Sequence, residues 1–229
     1  MSHASSAMLL GDGSLFDLLA PAAPAIDLSR HIPETLARLG RFCCQTSPVY
    51  SVAQHCVVGA DALLVETGAA DLALAFLLHD AHEAFIGDIT TPAVNALAAI
   101  ADEEFVKPGY AAGHIVRAAI ASLKHRLDCA IYRAAGLGFP LPAGMAAAVR
   151  SMDRRLLAAE MRQLFPGGGR IASGLENGPP PLAPVPMRGG LAPWPFARAA
   201  EAWSDRLHLW RAGRLLDGRS HEAMPEALR

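Results

Sequence analysis

The stretch that most constrains this 229-residue chain is Phe76 to Pro92, FLLHDAHEAFIGDITTP. An apolar helical run there carries His79 and Asp80 side by side, adds Glu83 three positions after Asp80, and stops at Gly87 before Asp88 and Thr90-Thr91-Pro92. Leu72, Leu74, Phe76, Leu77 and Leu78 mark the run as a core helix, where unpaired charged groups are costly to bury. Two imidazoles and three carboxylates within ten residues therefore need partners. One divalent cation would serve several of them at once. The plainer alternative is a helix edge whose charges face water.

Composition narrows the setting. With 52% hydrophobic residues and a mean hydropathy of +0.25, a chain of this length can bury a full core, and one domain with appendages is expected. No apolar stretch reaches the roughly 18 residues of a membrane helix and no basic-then-apolar leader opens the chain, so the expectation is a cytoplasmic protein with no membrane partner. The net charge of −2 and pI near 6.5 advertise no basic surface, and no long nucleic acid is expected as a partner. Cys43, Cys44, Cys56 and Cys129 have neither zinc-knuckle spacing nor the density of a disulfide scaffold, and read as reduced, mostly buried thiols.

The periodicity predicts an all-α chain. Residues 1–22 are an N-terminal tail whose glycine turn allows a small β-hairpin. Residues 23–165 are the helical domain. Asp27 caps a first helix that contains Pro33 and runs through Leu36, Leu39 and Phe42, delivering Arg41 near its end. Ser51 caps a second, striped with Val52, His55, Cys56, Gly59, Leu63 and Leu64 and ended by Gly68. Asp71 caps the central helix, which runs to about Ile86. Val94 to Phe105 is shorter or irregular, Ala111 to Ala135 is long with Ile115, Ala119, Leu123, Leu127 and Ile131 on one face, and Ala143 to Phe165 turns Met145, Val149, Met152, Leu156 and Leu157 inward. Residues 166–195 are a Pro/Gly-rich surface excursion, whose triple glycine lacks the Lys-Ser/Thr of a phosphate loop. Residues 196–229 are a terminal helix and tail, with Phe196, Trp203, Leu207 and Trp210 packing back on the core.

His55 sits on the helix before the central one, and the short turn between them makes the two antiparallel neighbours whose imidazoles can converge. A further ligand must come from elsewhere. Asp153 is the leading candidate, and its competing reading is an ordinary ion pair with Arg150, Arg154 or Arg155. His82 suits a supporting or solvent-facing role better than ligation. His114 and His125 share a helix face and would be the candidates for a second metal, but surface histidines are favoured; Lys124 and Arg126 read as a solvated face within reach of outer phosphates.

Taken together, His55, the His79-Asp80 pair and the distant Asp153 resemble the H…HD…D pattern of the HD-domain metal-dependent phosphohydrolases. The nearer likeness is to bacterial 5′-deoxynucleotidases and phage or prophage deoxynucleotide phosphohydrolases. It is carried by Arg41-Phe42, by Tyr50-Ser51-Val52-Ala53-Gln54-His55, by LLHDAHEAFIGDITTP and by Asp153-Arg154-Arg155-Leu156-Leu157-Ala158-Ala159-Glu160, and covers about Phe16 to Leu164. Phe42 departs from the tryptophan of the best-known members.

The resemblance implies an HD-type helical bundle binding one divalent transition metal (Mn, Co, Zn, Ni or Fe) through His55, His79, Asp80 and Asp153, and allows a second, substrate-associated Mg. It implies an enzyme in which Asp80 and Glu83 are catalytic and Arg41, Phe42 and Asp88 meet a small nucleotide: Arg41 the phosphate, Asp88 a sugar hydroxyl. The expected reaction releases a nucleoside plus phosphate or triphosphate from a deoxynucleotide, in a homo-oligomer. A phosphodiesterase, a binuclear iron oxygenase and a non-catalytic nucleotide-binding module are the alternatives. Arg41 as a helix-end residue and Asp88 as a turn cap through Thr90 and Thr91 are theirs.

Overall fold

The computed structural model describes residues 6–105, 111–166 and 191–216 and is mostly helical. A small antiparallel hairpin, β1 (Ala7–Leu9) and β2 (Leu15–Asp17), opens it. Its inward residue Phe16 is buried and stacks on Phe85 at 4.6 Å between ring centroids, so the hairpin is pinned beside the central segment.

The expected first helix is divided. Asp27 does cap it, accepting from Ser29 N and Arg30 N, but α1 (Leu28–His31) stops before Pro33 and α2 (Pro33–Arg38) restarts from it, as a residue without an N–H that restricts its predecessor dictates. Arg41 is therefore not on the α-helix: it opens a short 3-10 segment, Arg41–Cys44, beyond the end of α2. It follows a bridge between Gly40 and Ser51, with Arg41 N donating to Tyr50 O and Val52 N to Leu39 O, both at 2.9 Å. A Cβ at Gly40 would meet Cys44 Sγ at 2.5 Å and Val49 Cγ1 at 2.7 Å, so a side chain there would have to displace both. Phe42, Cys43 and Cys44 then take left-handed backbone, at φ 55, 52 and 59. This costs about 1–2 kcal/mol per residue and leaves Cys43 and Cys44 exposed rather than buried.

Ser51 accepts from Gln54 N and opens α3 (Val52–Thr67), which ends at Gly68 as expected. Next, α4 (Ala70–Leu78) starts from Ala69, not from a cap at Asp71. It lies against α3 so closely that a Cβ on Gly59 would overlap the ring of the buried Phe76. The central helix does not continue to Ile86. It tightens into turns at His79–His82 and resumes as α5 (Glu83–Ile86). Bonds of the i→i+3 kind hold the tightened stretch, including Ala81 N to Leu78 O and Glu83 N to Asp80 O at 3.0 Å. Carbonyls released near the break find other donors: Tyr132 Oη donates to Ala75 O at 2.8 Å and Trp203 Nε1 to Leu77 O at 3.3 Å.

The α6 helix (Thr91–Glu104) starts earlier than expected because Pro92 suits a first turn. It pairs with α7 (Ala112–Ala134), and small residues make that contact: Ala98 and Ala101 on one helix, Ala112 and Gly113 on the other. Consequently the apolar stripe of α7 is buried only in its second half, at Leu127 and Ile131, and Ile115 is half exposed. The α8 helix (Ala143–Leu164) buries Val149, Met152 and Leu156 as expected. Of the 166–195 excursion, 167–190 lie outside the described residues, as do 217–229. Its end returns to the core rather than staying on the surface: Leu191 is buried, and Gln54 binds Ala192 O through Nε2 and Trp194 N through Oε1. In α9 (Phe196–Leu216), Trp203, Leu207 and Trp210 are buried on the core. Phe196 is exposed. Among the described residues no single helix is long and apolar enough to cross a membrane.

The α3–α4 contact suggests a direct check. Gly59→Ala gains helix propensity but forces a methyl against Phe76, and overpacking costs about 1–3 kcal/mol, so the melting temperature should fall by about 2–10 °C in a thermal unfolding scan. An unchanged or raised value would mean the helices can part without penalty.

Candidate metal centre

Three histidines share one arrangement. His55, fully buried on α3, sets Nδ1 at 2.6 Å from Glu160 Oε1 on α8. His79, at the end of α4, sets Nδ1 at 2.7 Å from Phe76 O. His82, buried before α5, sets Nδ1 at 2.9 Å from Asp128 Oδ1 on α7. An acceptor at Nδ1 fixes the ring proton there, so Nε2 is left as the ligating nitrogen. All three Nε2 atoms are buried without a hydrogen-bond partner.

The helix break brings carboxylates to the first two. Asp80 Oδ2 lies 3.2 Å from His79 Nε2 and 3.8 Å from His55 Nε2. Asp153 Oδ1, from α8, lies 3.3 Å from His55 Nε2 and 3.8 Å from His79 Nε2. Ligands bonded to one ion at about 2.0–2.2 Å stand about 3.4 Å apart in a tetrahedron. The orphaned nitrogens, the donor chemistry and these spacings fit a divalent cation, and His55, His79 and Asp80 alone already bring their ligand atoms within 4.8 Å of one another.

Charge in the cation-free site is balanced internally. Burial and Arg41 would lower the His55 pKa, yet Glu160 and Asp153 raise it overall. Burial likewise disfavours charge on His79, but Asp80 and Asp153 hold its pKa well above the ordinary range. Burial pushes the Asp80 and Asp153 carboxyls upward, and His79 and His55 more than reverse this, leaving both well below the usual range. The protons this network keeps on the imidazoles are the ones a cation must displace, so metal affinity should fall as pH is lowered.

Arg41 reaches the same place from its strained turn. Its Nε donates to Glu160 Oε2 at 3.1 Å and its Nη1 lies 3.5 Å from Asp80 Oδ2. It thus lies beyond the end of α2 and within that network. Asp153 likewise shows no ion pair with Arg150, Arg154 or Arg155 among the described residues; Arg155 instead binds Glu66 bidentately. Glu83 is buried beside Asp80, and Oε2 has no partner. Burial first, then Asp80 and Asp88, push its carboxyl up to about 9. Burial also raises Asp88, which is half-buried. Its carboxylate makes no hydrogen bond to Thr90 or Thr91 among the described residues, and Thr90 caps α6 without a side-chain bond. Phe42 packs edge-on to Phe165, with the Arg41 guanidinium 5.5 Å from its ring centre.

His114 and His125 stay exposed on α7, and Arg126 donates to Leu19 O. Two contributors were not foreseen in these roles. Glu160 lies two helical turns after Asp153, a spacing that shares a face. Asp128 is joined to His82 only by the tertiary fold. No protein-family model matches the chain, and no curated protein matches it.

His79→Ala should abolish tight metal binding at this centre, whereas Asp153→Asn should keep the fold and lose most of the affinity. Glu160→Gln should weaken affinity by about 10–100-fold. Calorimetric titration of the chelator-stripped protein with Mn²⁺ measures all three, and wild-type affinity in the first two would refute the ligand set.

Proposed function

We propose that the chain is a metal-dependent phosphohydrolase acting on deoxynucleotides, releasing a nucleoside and phosphate or triphosphate. The observation that carries this reading is the pair of Nε2 atoms of His55 and His79, buried without a hydrogen bond and facing the Asp80 and Asp153 carboxylates beside the Arg41 guanidinium and the buried Glu83. On an ion that takes five or six ligands, four protein ligands would leave positions for water and substrate, as hydrolysis requires. A bound cation would supply an acidified water and polarise a phosphoryl oxygen.

The chain's own residues account for the remaining requirements. Arg41 is anchored at Nε by Glu160 and lies with Nη1 3.5 Å from Asp80, which fixes the plane of its fork; its remaining terminal N–H groups would meet phosphate oxygens. Tyr50 is buried close enough to Glu160 and Arg41 for their charges to act on it. Burial, Asp80 and Asp88 raise the Glu83 carboxyl in the cation-free site, which favours its protonated form, so that Glu83 would deliver a proton to the leaving 5′ oxygen; once that proton has gone, the carboxylate can take one from the attacking water. Asp88, at the mouth of the turn after Gly87, accepts from the 3′-hydroxyl in this reading, and Phe42 faces the 2′ position.

Glu83→Gln keeps size but cannot exchange the proton. The ion on His55, His79, Asp80 and Asp153 should remain while turnover falls by about 10²–10⁴-fold, measured as phosphate or triphosphate release from a deoxynucleotide panel. Unchanged turnover would remove Glu83 from the chemistry. The sugar is read separately: a site that hydrogen-bonds a hydroxyl rejects the analogue lacking it. A 2′,3′-dideoxynucleotide should therefore be a much poorer substrate than the 2′-deoxynucleotide, and Asp88→Ala should erase the difference. Equal wild-type rates on the two would refute that role.

A further inference from the structure

His82 has no part in the reaction just described, yet it is built like the two histidines that do. It is buried, only 5% exposed, in the tightened segment between α4 and α5. Asp128 holds Nδ1 at 2.9 Å, and Nε2 is buried with no partner. A carboxylate behind an imidazole whose second nitrogen is left bare is the usual support of a metal-ligating histidine. A ring nitrogen of His82 and one oxygen each from Asp80 and Glu83 lie within 4.8 Å of one another. Since Nδ1 is committed to Asp128, Nε2 is the nitrogen left to ligate.

We propose that Asp80, His82 and Glu83 hold a second divalent cation beside the first, with the Asp80 carboxylate shared between the two. The inference rests on reading the neighbouring centre as a metal site. Two observations favour a cation over a mere hydrogen-bonded cluster. First, Glu83 Oε2 and His82 Nε2 are both orphaned although buried within the same small group, and each such atom costs about 1–3 kcal/mol. Second, no lysine or arginine forms an ion pair with Glu83 among the described residues; Lys124, one turn before Asp128 on α7, and Arg41 act on it only at longer range. One imidazole and two carboxylates form a borderline donor set suited to Mn²⁺, Fe²⁺, Co²⁺ or Zn²⁺ rather than Ca²⁺. Three ligands leave positions for phosphate oxygens. Ligation uses the Glu83 carboxylate, the form that remains once its proton has been given up.

The test uses the full-length chain, stripped with a chelator and titrated with Mn²⁺ while free Mn²⁺ is read by electron paramagnetic resonance. Wild type should take up two ions per chain and His82→Ala one, both remaining folded by circular dichroism. Asp128→Asn, which leaves every ligand in place, should keep two ions with one weakened about 10–100-fold, and it carries the test should His82→Ala not fold. Saturation of wild type at one ion, or unchanged uptake in Asp128→Asn together with unchanged uptake in a folded His82→Ala, would overturn the second site. A single ion lost in His79→Ala but untouched in His82→Ala would overturn this inference and leave the first centre standing. Two ions bound without hydrolysis of any nucleotide would support the inference and refute the nucleotide reading.

Discussion

A buried imidazole nitrogen that faces carboxylates but completes no hydrogen bond is the constraint around which this structure is arranged. Two such atoms, on His55 and His79, face each other across the α3–α4 contact with their rings 5.3 Å apart. Leaving them there is unfavourable by itself. The fold surrounds them with the charges that make the arrangement tolerable: Asp80 from the helix break, Asp153 and Glu160 from α8, and Arg41 from the turn before α3. Each comes from a different part of the chain. The apolar core of Phe76, Leu77, Val57 and Met152 is what holds those parts in register.

Two departures from regular backbone serve this centre. The three left-handed residues Phe42 to Cys44 aim Arg41 inward, and their strain is held by the Gly40–Ser51 bridge and by Phe42 against Phe165. The second departure is the interruption after Leu78. In a tightened turn, residues three apart eclipse one another, which stacks Asp80 over Glu83. A continuous helix would have separated them by about 60°. Local backbone cost is thus concentrated where polar groups converge, and the surrounding helices bear it.

Much of this was legible in the sequence because it is local. Ser51, Gly68 and Asp27 mark helix ends through their own side chains or backbone freedom, and the His79-Asp80-Glu83 spacing exposes itself in an otherwise apolar run. Asp153 was legible as a candidate beside a competing ion pair with its arginine neighbours; of those, Arg155 turns to Glu66. What could not be read was long-range. Arg41 follows an extended bridge rather than a helix, since backbone pairing with Tyr50 and Leu39 has no side-chain signature. The break at Leu78 is stabilised by Tyr132 and Trp203, which lie far along the chain. His82 looked like a bystander because its carboxylate partner, Asp128, is 46 residues away.

The central claim is that an ion is bound by imidazoles that meet through the α3–α4 contact. X-ray absorption spectroscopy of the full-length protein loaded with one equivalent of Co²⁺ addresses it most directly, because imidazole rings add a recognisable outer-shell scattering pattern. The account predicts a four- to six-coordinate N/O site whose spectrum requires two imidazoles in the wild type and one when His55 is replaced by alanine. A shell of oxygen alone, or an imidazole signal indifferent to the loss of His55, would contradict it.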